Sequence, residues 1–185
     1  LRFYRWKPSA VSVGYFQNTA EEVDLDECRR LNVDVVRRMT GGGAVYHDYN
    51  GEITYSIIVK EDRLGIPRDI LKSYEVICRG IVLGLRNLGL DAEFKPINDI
   101  QVGGKKISGN AQTRRWGTIL QHGTVLVDAD IKTMFRVLKV GKEKISDKLI
   151  KAVEERVTTI NRVLGKKIGF TEVYEALKEG FEKAL

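Results

Sequence analysis

The apolar positions of this 185-residue chain change period several times, and each change predicts an element. Apolar and basic residues alternate over Leu1–Trp6, which predicts a strand, and Ala10–Tyr15 predicts a second short one closed by Gly14. Asp24–Leu31 has helical spacing with Asp24 placed to cap it, and the β-branched run Val33–Arg38 predicts a strand leading into Gly41-Gly42-Gly43. Ala44–His47 and Ile53–Val59 predict a strand pair about an Asp48–Gly51 turn. The clearest helix follows Pro67: Ile70, Tyr74, Ile77, Ile81, Leu85 and Leu88 recur at spacings of three and four, and Gly89 supplies the stop. Strands are predicted again at Ala92–Phe94, Ile97–Val102, Lys106–Gln112 and Thr118–Val127, with Gly103-Gly104 as a hairpin turn. Helices are predicted at Ile131–Leu138, at Asp147–Arg156, and from a Thr171 cap through Val173, Leu177 and Phe181.

Strands dominate the middle and helices flank them, which is an α+β or mixed α/β pattern whose strand order stays open. No apolar run reaches the roughly 18 residues of a membrane span, and no signal peptide opens the chain. The two cysteines, Cys28 and Cys78, have no CxxC spacing and both fall in predicted helices. They suit small core positions in a protein of the reducing cytoplasm, and they exclude a zinc cluster or a disulfide framework. The net charge of +6 is spread along the chain, without the dense basic block or interleaved aromatics of a nucleic-acid arm. It favours an anionic ligand or an acidic protein surface.

Three segments could carry chemistry. In Arg37–Asp48, two arginines precede three glycines, whose bare backbone lets a substrate lie close and lets successive N–H groups face an anion. The same stretch reads equally as a surface turn between solvated arginines, since its spacing is neither a dinucleotide fingerprint nor a P-loop. In the second, Asn98 and Asp99 enter an apolar strand; they are either a turn pair or, through Asp99, a Mg²⁺ ligand. Beyond the hairpin turn, alternation sends Lys105 and Lys106 to opposite faces, so one of them points toward a ligand. The third is Gln121-His122-Gly123-Thr124, where a histidine among strand apolars is more often a core residue than a base. Two histidines without HExxH spacing exclude a His-rich metal site, and no GxSxG elbow is present.

Together these segments resemble the lipoate–protein ligase family. The run Arg37-Arg38, Gly41-Gly42-Gly43, Ala44-Val45-Tyr46-His47-Asp48 is similar to its N-terminal signature. Asn98-Asp99, the stretch Gly104–Gly109 and His122-Gly123-Thr124 match the rest, and Leu1–Gln17 resembles the opening strands. The resemblance implies a mixed β-sheet flanked by helices, shared with biotin–protein ligases and octanoyltransferases and related to class II aminoacyl-tRNA synthetase cores. It implies residues 1–185 as a single catalytic domain, with the accessory C-terminal domain of many ligases absent. The implied reaction takes lipoate, ATP and Mg²⁺ to lipoyl-AMP, then passes the lipoyl group to a lysine of an acceptor protein. The acceptors would be lipoyl domains of 2-oxoacid dehydrogenases and the glycine-cleavage H protein, with a separate accessory ligase subunit as a further expected partner. By the same resemblance Lys106 is the catalytic cation between carboxyl and α-phosphate. Arg38, Gly41, Gly42, Gly43, Asn98, Asp99, Ser108 and Gly109 join Lys106 in holding ATP or the acyl-adenylate, with Asp99 on the metal. Val45, Tyr46, His47, His122, Gly123 and Thr124 line the lipoate pocket.

The nearest rival is an octanoyltransferase that moves a preactivated acyl group. One branch resembles this chain in its Ser-Gly-x-Ala-Gln and Gln-His-Gly stretches, but uses a cysteine about where Glu93 stands. Asn98-Asp99 and the missing thiol make the ATP-dependent ligase the expectation here. A biotin ligase fits less well because its GRGRRG loop is replaced. A non-catalytic lipoate-binding or nucleic-acid-binding module needs neither Lys106 nor the Asn98-Asp99 pair.

Overall fold

The computed structural model describes residues 1–139, 151–152 and 155–185, so most of the predicted Asp147–Arg156 helix lies outside the described residues. In chain order the elements are β1 (Arg2–Tyr4), β2 (Ala10–Val13), α1 (Thr19–Glu22), α2 (Leu25–Arg30), β3 (Asp34–Arg37), β4 (Val45–His47) and β5 (Glu52–Lys60). They continue with α3 (Ile70–Asn87), β6 (Ala92–Lys95), β7 (Asp99–Val102), β8 (Lys105–Arg115), β9 (Thr118–Leu126), α4 (Ile131–Val137), α5 (Ile160–Leu164) and α6 (Phe170–Ala184). A six-stranded sheet runs β1-β5-β9-β8-β7-β6, every pair antiparallel. A smaller sheet runs β3-β2-β4, parallel on one side of β2 and antiparallel on the other. No helix among the described residues is long and apolar enough to cross a membrane.

The two faces of the large sheet follow from alternation along β5 and β9. Ile53, Tyr55, Ile57, Ile119 and Val125 point to one side and join α3 and α6 in the main core. The apolar stripe of α3 (Tyr74, Ile77, Ile81, Leu85) and that of α6 (Val173, Leu177, Phe181) are buried there. The two helices approach closely because a Cβ on Gly180 would meet the backbone of Gly80 and Gly84. Glu52, Thr54 and Ser56 alternate to the opposite face, toward the small sheet. A second core of Val11, Val13, Val23, Cys28, Val33 and Val137 closes the small sheet against α2 and α4.

Several expected elements change. Val45–His47 and Glu52–Lys60 do not form a hairpin: β4 pairs with β2, while β5 pairs with β1 and β9. Asp48 explains the crossing. Its carboxylate accepts from the backbone N–H of Asn50 at 2.9 Å and of Asp130 at 3.0 Å, which turns the chain from one sheet into the other. Helix α6 begins at Phe170 after an N-cap at Gly169 that makes no side-chain bond, so Thr171 lies inside the first turn. Asp24 caps α2 as expected, accepting from Glu27 N–H at 3.0 Å. Gly103 and Gly104 both adopt positive φ in the β7–β8 turn, a conformation that glycine adopts without strain.

Candidate active site

Between the polar face of the large sheet and the small sheet lies a cavity of about 600 Å³. Ala44, Val45, Leu126, Met134, Leu138 and Val157 give it apolar walls suited to an acyl chain. One polar wall is a hydrogen-bonded relay of buried and half-buried side chains. Glu52 accepts from His47 Nδ1 at 2.7 Å and from the Thr54 hydroxyl at 2.8 Å. His47 Nε2 lies 2.8 Å from Ser12 Oγ, which itself accepts from Arg38 Nη1 at 3.2 Å. Ser12 therefore has its proton free for His47 Nε2, and His47 gives its Nδ1 proton to the Glu52 carboxylate. Trp6 stacks on His47 at 4.5 Å between ring centroids and donates its indole N–H to Thr54, fixing the imidazole from outside.

Arg38 is the hub of this wall. It reaches the Thr40 hydroxyl through Nε, the Ser12 carbonyl through Nη1, and the carbonyls of Gly41 and Gly43 through Nη2 at 2.8 and 2.7 Å. The resemblance places Arg38 on ATP or the acyl-adenylate; in the fold its donors are engaged in shaping the glycine loop. The N–H groups of Gly41, Gly42 and Gly43 make no hydrogen bond within the described residues, and they line the cavity. Gly14, which sequence reading noted only as a strand end, is required here. A Cβ on it would land on the carbonyl of Gly42. Thr40 continues the chain to His122 Nε2 at 2.7 Å. Burial pushes His122 down to about 4, with Arg38 and then His47 adding to the effect, so at neutral pH the ring is neutral and accepts the Thr40 proton. Arg37 points away, onto the carbonyls of Gly14, Tyr15 and Gln17 and the Thr19 hydroxyl.

Across the cavity the β7–β8 ladder shifts register at Ile100/Gln101. Strict alternation would separate Lys106 from Gly109; the irregularity lets the lysine lie over the glycine. A Cβ on Gly109 would sit 2.9 Å from Lys106 Cε and 3.0 Å from Nζ, so the missing side chain is the lysine's berth. Lys106 Nζ pairs with Asp99 Oδ1 at 2.7 Å. Asn98 lines the cavity, with its side-chain N–H engaged. Its side-chain N–H donates to the Asn110 carbonyl, and Asn110 returns the bond to the Asn98 carbonyl at 2.8 Å. Asn110 Oδ1 accepts from Tyr55 at 2.7 Å, and Tyr55 accepts from Gln121, so a buried network holds the segment that carries Asp99. Ser108 and Asn110 are buried beside Lys106, and Gly123 has no room for a side chain because Asn110 Oδ1 fills it. Thr124, Tyr46 and Gly123 also line the cavity.

The described residues include no group of three or more His, Cys, Asp or Glu side chains placed to hold a metal. Asp99, the expected Mg²⁺ ligand, is already bound by the Lys106 ammonium, so a cation would have to displace that partner. No thiol lines the cavity among the described residues. Cys28 is buried in the second core. Cys78 is buried under Gln121, and desolvation pushes its thiol up to about 12 despite hydrogen bonds from Gln121 and Tyr55 that favour the thiolate. Sequence reading missed Ser12, Thr40 and Glu52. The signal available for Glu52 was a carboxylate opening the alternation Glu52, Thr54, Ser56 in an otherwise apolar strand.

The cavity has an acyl-sized volume and brings together the Lys106 ammonium, the glycine loop and a neutral His122. Residues 1–182 match the lipoyl protein ligase A/B catalytic domain, and the chain belongs to that family. It is similar over its whole length to octanoyltransferase LipM of Kyrpidia tusciae, at 39% identity, and of Bacillus subtilis, at 36%, covering 75% and 74% of those proteins. Its fold is similar to the bi-partite lipoate protein ligase of Thermoplasma acidophilum, studied together with its E2 lipoyl domain. The TM-score is 0.87 at 38% identity, covering 99% of this chain and 69% of that one. These relatives correct the main functional expectation. Likeness over the whole chain to proteins named octanoyltransferase overturns the ATP-dependent ligase expectation in favour of the acyl-transfer alternative.

Proposed function

We propose that the chain transfers an octanoyl group, already activated as a thioester, to a lysine of a small lipoyl-domain acceptor. The observation that carries the reading is the Lys106–Asp99 pair set over Gly109 at one side of an apolar cavity, in a chain whose relatives are octanoyltransferases. The octanoyl tail lies against Val45, Leu126, Met134 and Leu138. The acceptor amine attacks the thioester carbonyl, and the oxygen gains a negative charge that the Lys106 ammonium balances. Collapse of the adduct breaks the C–S bond, and the proton lost by the amine leaves on the departing thiol. Atoms balance without ATP, Mg²⁺ or an enzyme thiol. With no cysteine in the cavity, transfer runs directly from donor to acceptor. The glycine-loop amides and the hydrogen-bonded His122–Thr40–Arg38–Ser12–His47–Glu52 relay position the donor. Buried, unpaired cysteines suit work in the cytoplasm.

The test is a comparison of donors. Octanoyl thioester should acylate an apo lipoyl domain without nucleotide, and Lys106→Ala should remove the activity. Acceptor modification that requires octanoate and MgATP, and fails with the thioester, would overturn the reading.

A further inference from the structure

The polar relay along the cavity contains one atom that the fold leaves without a partner. Glu52 is 1% exposed, and its Oε1 accepts from both His47 Nδ1 and the Thr54 hydroxyl. Its Oε2 is buried as well and meets no donor among the described residues. The carboxylate is not free to turn and correct this. Two donors hold Oε1, and Trp6 stacks on His47 while donating to Thr54, so the partners of Oε1 are themselves fixed. Buried oxygens are seldom left unpaired, because giving up a hydrogen bond to water without a replacement is costly. Glu52 lines the cavity, so the bond that Oε2 lacks within the protein is made to whatever occupies that space.

Strand register shows which part of an acyl chain arrives there. Gly109, Thr124 and Thr54 form one row across β8, β9 and β5, and Leu126 and Glu52 belong to the row two residues further on. Lys106 lies over Gly109, so the thioester carbonyl sits at the first row and the tail runs past Leu126 toward the second. Two strand spacings across and two residues along put the Glu52 Cα about 12 Å from that of Gly109. An extended octanoyl chain spans about 9 Å, and the glutamate side chain reaches into the remainder. The terminal methyl therefore stops short of Oε2 and leaves room for water on that oxygen. Two more methylenes would cover the oxygen and strip its water, with a carboxylate rather than an apolar wall in return. A dithiolane fails for a different reason: its sulfurs donate no hydrogen bond and would set lone pairs against the carboxylate.

We propose that Glu52 gauges the acyl chain, restricting donors to saturated tails no longer than octanoyl and disfavouring the lipoyl group. The inference rests on the transfer reading above and names the substrate class of that same site. Its test measures kcat/KM for octanoyl, decanoyl and lipoyl thioesters of pantetheine, followed by the mass of an apo lipoyl domain. The parent should favour octanoyl over each of the other two by roughly tenfold or more. Glu52→Gln keeps an oxygen for His47 and Thr54 but removes the charge, and Glu52→Val removes the polar group altogether. Octanoyl turnover should fall in both, because each disturbs the relay. The decanoyl-to-octanoyl ratio should nevertheless rise, by about tenfold in Glu52→Val and by a smaller factor in Glu52→Gln. If Glu52→Val does not fold, the isosteric Glu52→Gln carries the same comparison. A residue that only supported the fold would slow every donor equally. Unchanged ratios in a folded variant, or a parent indifferent among the three donors, would therefore overturn the proposal. Thermal stabilisation of the protein by octanoic, decanoic and lipoic acids keeps the two readings apart. A preference for octanoic acid that is lost in Glu52→Gln, without transfer from any thioester, would refute the transfer reading alone. Equal transfer and equal stabilisation with all three tails would refute the gauge alone.

Discussion

Lys106→Ala should separate catalysis from stability. The ammonium sits 2.7 Å from Asp99 Oδ1, but the lysine side chain is 42% exposed and the aspartate 29%. A pair so open to water contributes about 1 kcal/mol or less to folding. A cation aimed at a developing oxyanion is worth more, about 10²–10³ in rate or roughly 3–4 kcal/mol. The variant should therefore melt within a few degrees of the parent while single-turnover transfer of octanoyl, followed by intact mass of the acceptor, falls at least about a hundredfold. Gly109→Ala tests the same geometry without touching the charge. Its methyl would stand 2.9 Å from Lys106 Cε and 3.0 Å from Nζ, pushing the ammonium off its berth. A displacement of this kind costs up to about 10² in rate. If Lys106→Ala kept transfer within a few-fold of the parent, or lost stability in proportion to its rate, Lys106 would be a structural residue and the mechanism would fail.

Gly14→Ala should drive Gly42 out of place, costing about 1–3 kcal/mol of stability and slowing transfer well below the melting range; parental turnover would show that the loop is not part of the site. His122 should make the fold acid-sensitive. Its pKa is about 4 folded and near 6.5 unfolded, so below pH 6.5 the unfolded chain binds a proton that the native one refuses. Stability then falls between pH 6.5 and 4, by at most about 3 kcal/mol, and urea melts of His122→Gln should show a flatter profile across that window. Replacing both Cys28 and Cys78 with alanine should leave transfer intact and insensitive to thiol reagents; abolition of transfer in a folded variant would place a thiol in the chemistry. Shortening the donor by two methylenes should lower kcat/KM roughly 15-fold, at about 0.8 kcal/mol for each, and indifference to chain length would mean the tail lies outside the apolar wall.

What the sequence carried well was local. The three-and-four stripe of α3, the Asp24 cap and the Gly103-Gly104 turn each rest on short-range rules, and each stands in the fold. Likewise the glycine loop, Lys106, His47 and His122 converge on one cavity from segments far apart in the chain. Pairing between strands was not legible, because β4 and β5 are neighbours in sequence and a turn anchored on Asp130 parts them. Nor was the use of Arg38 and Asn98, whose donors are taken by backbone carbonyls that only the folded chain brings close. Chemistry was the least legible. A lysine that balances charge on a carbonyl suits an adenylate and a thioester alike, so Lys106 and its neighbours could not choose between ligase and transferase.

The most direct test is the mass of an apo lipoyl domain after incubation with this chain and an octanoyl thioester, in the absence of nucleotide. The account predicts one octanoyl gain on the acceptor lysine, and its loss in Lys106→Ala. An unchanged acceptor, with the gain restored only by octanoate and MgATP, would contradict transfer from a preactivated donor.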